Sequence, residues 1–196
     1  MRIPLIPVIC CVGLLAGCAG RSAKPVEILD ERSGLTVAAL KEPIELVPGP
    51  PNTLDPPNAA SNSPKRPSFA YLGPVEWNRS GIISYGLWVN IAPGNDRQAG
   101  DIHAPTALSL SLDDGPLTLS LIEPPKLGRE PYRAAVSWGQ TAYFNLDAAT
   151  LRRIAASRKL ELDVRGADGS TIGFSPTRDA HSVLAGYLQA CGITGD

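Results

Sequence analysis

The chain has 196 residues, 43% hydrophobic and 19% charged, enough for one ordinary domain with extensions and too apolar for a disordered chain. A formal net charge of −1 gives no electrostatic footprint for nucleic acid, and 6% aromatics leave little for a stacking platform along single strands. Nineteen prolines and nineteen glycines point to many turns and loops.

Met1 and Arg2 form a short positive start. Residues 3–15 follow as an apolar run of 13 residues, the length of a signal-peptide core and too short to span a bilayer. Leu15, Ala16, Gly17 and Cys18 close it, with small residues immediately before the cysteine. Cys10 and Cys11 are preceded by Ile9 and Cys10, where a small residue would be needed. Leu15-Ala16-Gly17-Cys18 resembles the lipobox of bacterial lipoproteins. The resemblance implies a diacylglyceryl group on the Cys18 sulfur, cleavage before Cys18 and acylation of the new amine, with Leu15, Ala16 and Gly17 read by the signal peptidase. Ala19, where Asp would favour inner-membrane retention in that family, implies the periplasmic face of the outer membrane. Cleavage also removes Arg2 and leaves Cys191 as the single free thiol, so no intramolecular disulfide is open to the mature chain.

The expected organisation is a signal peptide over 1–17, a lipidated N-terminus and tether over 18–34, and one β-rich domain over 35–196. Residues 35–40 and 44–47 read as strands. Residues 48–67 carry seven prolines and interrupt the domain as a flexible loop. Tyr71–Trp77 and Ile82–Ile91 flank a turn at Asn78-Arg79-Ser80-Gly81, the second run alternating as a half-buried strand. Leu108, Leu110 and Leu112, then Leu117, Leu119 and Leu121, alternate with Ser and Thr around Asp113-Asp114-Gly115, which predicts a hairpin with a leucine face in the core. Residues 132–138 and 141–146 read as another hairpin. Asp147 caps a predicted helix over 148–157. Residues 160–165 alternate as a strand, and Ala167-Asp168-Gly169 turns the chain into 170–174. A last helix is predicted from a Ser175 cap with Pro176 at its first position, ending at Gly192. The sum is an α+β fold, mostly antiparallel β in hairpins or a sandwich-like sheet, with two helices in the C-terminal quarter. Gly34-Leu35-Thr36-Val37, Asn78–Gly81 and Tyr85–Trp88 resemble stretches of small uncharacterised envelope lipoproteins of proteobacteria, a likeness that transfers no functional residue.

No pattern in the chain carries catalysis. The two histidines, His103 and His181, each follow an acid by two residues, Asp101 and Asp179. In a helix that spacing points the pair apart, and the loop pair lacks further zinc ligands. No Gly-x-Ser-x-Gly elbow is present, Cys191 falls on an apolar helix face, and Asp113-Asp114 is explained by turn chemistry. The expectation is no catalytic residue, no metal and no cofactor beyond the lipid on Cys18. Candidate ligand or partner residues are Trp88 and Trp138, with Trp77 beside them, and the basic residues Arg152 and Arg153, joined by Arg158 and Lys159 near the helix end. The expected function is that of a non-enzymatic, lipid-anchored envelope protein meeting the membrane through its anchor and an envelope protein or cell-wall polymer through its body, with no nucleic-acid partner. A module binding a small molecule or lipid in a sheet concavity is the second reading, and an envelope hydrolase the third.

Overall fold

The computed structural model describes residues 25–49, 69–92, 107–165 and 171–193. Leu15 to Cys18, the proline-rich stretch from 50 to 67, Asp101, His103 and the turn at 167–169 lie outside them. Ten strands and two helices follow in the order β1 (Val26–Asp30), β2 (Leu35–Ala39), β3 (Ile44–Pro48), β4 (Phe69–Arg79), β5 (Ile82–Ala92), β6 (Ala107–Leu112), β7 (Gly115–Ile122), β8 (Gln140–Leu146), α1 (Ala148–Ala156), β9 (Leu160–Arg165), β10 (Thr171–Pro176) and α2 (Ala180–Ala190). Mostly antiparallel β with two late helices is the class read from the sequence.

The sheet does not stay open. Its strand order is β1-β2-β4-β3-β10-β9-β6-β7-β8-β5, and a further β4–β5 ladder closes β3 to β10 into an eight-stranded barrel with β1 and β2 as an extension. Closure removes sheet edges, so it is a barrel and not a sandwich that the alternating strands build. Every pairing is antiparallel, and the registers carry one face through the whole circuit: Ile44 to Leu72, Leu72 to Val89, Leu87 to Phe144, Leu110 to Leu162, Leu162 to Phe174. These side chains are at most 1% exposed and fill the barrel. On β6 and β7 the opposite face holds Ser109, Ser111, Thr118 and Ser120, which are half-buried or exposed. That alternation is the period-two signal of the sequence.

Several elements depart from the sequence reading. Strand β1 lies inside the segment expected to be tether, because its five residues pair one for one with β2. β5 is buried on both faces from Gly86 to Ala92 rather than on one. The reason is the β7–β8 connection, residues 123–139, which folds back over the outer face of β4 and β5. This connection is irregular and contributes no hairpin strand over 132–138; β8 instead pairs with β5, seven pairs long. Leu121, expected in the core with Leu117 and Leu119, is 48% exposed where β7 meets β8 through only two residue pairs. The last helix begins at Ala180 with Asp179 as cap, not at Ser175-Pro176, since those residues continue the β10 ladder to Leu46 and Val47 of β3.

Local chemistry otherwise follows the residues. Ser80 and Gly81 both take positive φ, 52° and 91°, the backbone a two-residue hairpin turn requires, and Asn78 Oδ1 accepts from Gly81 N–H at 2.8 Å. Asp147 Oδ1 accepts from Thr150 N–H at 2.6 Å and starts α1. Gly192, at φ 68°, ends α2.

Candidate functional site

On β4 Gly73, Val75 and Trp77 share the outer face, opposite Trp88, Gly86 and Ser84 of β5. Next to them Tyr143 of β8 pairs with Trp88. Two glycines here make room for rings: a Cβ at Gly73 would collide with the Tyr132 ring, and one at Gly86 with the Trp77 ring. Tyr132 lies over Trp88 at 5.0 Å between centroids, and Trp77 meets Tyr143 at 5.8 Å. The result is a second apolar cluster outside the barrel, held down by the 123–139 strap.

Tyr132 also mends a broken ladder. β2 and β3 run along the same edge of β4 but with registers offset by two residues, so the pairing is interrupted around Leu40 and Pro74. The Tyr132 hydroxyl enters the gap, accepting from Leu40 N–H at 2.9 Å and donating to Pro74 C=O at 2.7 Å. Burial raises its pKa, so the hydroxyl keeps the proton it donates. The strap is further tied by the Tyr143 O–H donating to Glu130 and by Gly128 N–H donating to Asp30 at 3.0 Å.

Beside this wedge lies an open groove of about 610 Å³, rimmed by Lys41, Arg129 and Arg133, with Ile28 and Tyr132 in its wall and Glu130 as its acid. A smaller one of about 250 Å³ is bounded by Glu42, Glu45, Tyr71 and Arg178. Both are surface features, while the barrel interior is occupied by its own leucines and phenylalanines.

The residues singled out from the sequence do not converge. Trp88 is 1% exposed under Tyr132 and lines no mouth, whereas Trp138 is 39% exposed at the end of the strap. Arg152 is exposed on α1. Arg153 is spoken for, gripping Asp114 through Nε at 2.7 Å and Nη2 at 3.0 Å. Asp113 accepts from Arg158 N–H at 2.6 Å and Lys159 N–H at 3.2 Å, and these bonds hold its carboxyl below the usual carboxylate range. The basic cluster and the acidic turn are thus one joint between the β6–β7 hairpin and the end of α1. Lys159 adds an ion pair to Glu161 at 3.2 Å.

The chemistry-bearing groups elsewhere are engaged structurally. His181 Nδ1 contacts Ala155 C=O at 2.5 Å, joining α2 to α1. Burial, and then Glu76, push the Cys191 thiol up to about 11, which leaves it protonated at neutral pH and a poor nucleophile. Glu76 has one buried carboxylate oxygen without a partner, and the Trp77 Nε1–H is likewise buried and unpaired. Among the described residues no three His, Cys, Asp or Glu side chains gather closely enough to hold a metal ion, and no helix is long and apolar enough to cross a membrane. The groove was invisible in the sequence, since Lys41 and Arg129 are 88 positions apart and only the strap brings them together. Comparison with protein-family models, curated proteins and solved structures gives no match.

Proposed function

We propose that this chain is a lipid-anchored envelope lipoprotein, held by Cys18 at the periplasmic face of the outer membrane, whose barrel body works by contacting an envelope protein or cell-wall polymer rather than by catalysis. The observation that carries this reading is Leu15-Ala16-Gly17-Cys18 at the end of a 13-residue apolar run. The place of Cys18 in the chain bounds how far from the membrane the body would sit. Among the described residues β1 is the first element, and residues 19–25 lie between Cys18 and Val26. Seven residues reach about 25 Å at full extension, which keeps the barrel close to the headgroups. The anchor has a direct test in cells. Labelled palmitate is expected in the wild type and absent from Cys18→Ala, with the variant released from the membrane fraction or left as precursor. Equal labelling of the two overturns the reading.

A further inference from the structure

The tether enters the body next to the groove. Val26, the first residue of β1, pairs with Ala39, which is two residues before Lys41. Val26 and Ile28 alternate onto the same face, and Ile28 is part of the groove wall. Whatever holds Cys18 therefore lies within a seven-residue reach of Val26, on the strand that supplies Ile28 to the groove wall. All three cations are exposed. The ion pairs among the described residues are Arg153 with Asp114 and Lys159 with Glu161, so no described carboxylate lies within ion-pair distance of a rim cation. The groove lining holds three cations against one acid, Glu130, which accepts a hydrogen bond from the Tyr143 hydroxyl. Arg129 and Arg133 are not free to drift either, since Tyr132 between them is locked into the β2–β4 ladder.

From this arrangement we propose that the Lys41–Arg129–Arg133 rim rests on anionic phospholipid headgroups of the membrane that carries the Cys18 anchor, orienting the barrel on that surface. The proposal rests on the lipoprotein reading for the tether argument. Its physical basis is the attraction of basic side chains to an anionic leaflet, worth roughly fivefold in affinity per cation, added to the hold of a lipid chain. The contact decides which face of the barrel looks away from the membrane and is left for a partner.

The test uses the mature chain carrying Cys18→Ser, which cannot be lipidated, floated with vesicles at low salt. Vesicles of phosphatidylglycerol in phosphatidylcholine should bind it, pure phosphatidylcholine should not, and high salt should abolish the difference. Lys41→Gln, Arg129→Gln and Arg133→Gln should each weaken binding roughly fivefold, and the triple variant about a hundredfold. Arg152→Gln on α1 should change nothing. Undiminished binding of the triple variant overturns the proposal. So does an equal loss with Arg152→Gln, or retention on isolated cell-wall polymer without binding to anionic vesicles. Because the Cys18→Ser chain has no acyl site, the outcome is separate from palmitate labelling. A labelled Cys18 with charge-blind vesicle binding removes the headgroup contact alone, and charge-selective binding without labelling removes the anchor alone.

Discussion

Glu76 is a side chain that works against the fold at neutral pH. One carboxylate oxygen is buried without a partner, and burial first, then Glu27, raises its pKa. A raised folded-state value means the folded protein holds its proton longer than the unfolded chain does. Stability therefore falls as pH rises from the ordinary glutamate range through the raised value. Glu76→Gln is expected to raise the melting temperature at about pH 8 and to leave it unchanged near pH 4, where both states are largely protonated. An equal shift at both pH values would show that the carboxylate's charge is not the cause. Asp30, Asp113 and Asp179 have the opposite sign. Hydrogen bonds from Ser33, from Arg158 N–H and from Ser182 lower them, so what they add is present above the usual carboxylate range and is lost as pH falls through the lowered values. At this scale the sequence was a fair guide where partners are local, as with the Asp147 cap. It was a poor one for Trp88 and Arg153, whose partners Tyr132 and Asp114 lie 44 and 39 positions away.

Among the elements, the 123–139 strap is the least legible in sequence and the most consequential. Its prolines and glycine read as loop, and its apolar residues over 132–138 as a strand. In the structure Tyr132 makes the two buried hydrogen bonds among the contacts that hold it. Tyr132→Phe keeps the ring over Trp88 but leaves Leu40 N–H and Pro74 C=O without their partner in a buried gap, a loss of roughly 1–3 kcal/mol. Urea unfolding should report that loss, and proteolytic cleavage within 123–139 should quicken. Wild-type stability and wild-type resistance in the variant would mean the hydroxyl does not hold the strap. The strap is also why β4 and β5 are buried on both faces, a property that period-two reading cannot supply for a strand covered from outside by a distant segment.

For the molecule as a whole, the barrel has a weak seam. β4 and β5 share eleven residue pairs, while β7 and β8 share two, Leu121 with Phe144 and Ile122 with Tyr143. Opening there would cost fewer hydrogen bonds than at any long ladder, and Leu121 is already half in solvent. Hydrogen exchange should find the amides of Leu121 and Ile122 exchanging well before those of β4 and β5; equal protection would argue against a seam. At the same scale, Val26 at the head of β1 and the Lys41–Arg129–Arg133 rim become neighbours only through pairings between distant segments.

Sequence alone determined what depends on near neighbours: the turns at Ser80-Gly81 and Asp113-Asp114, the alternating strands and the capped helix α1. Each rests on contacts within a few residues, where side-chain period and capping chemistry act directly. Tertiary structure alone decided that the sheet closes, that β1 joins it, that Tyr132 bridges β2 and β4, and that Lys41 meets Arg129 and Arg133. Those outcomes depend on pairings between distant segments, whose free energy belongs to the assembled barrel and to no single stretch of chain.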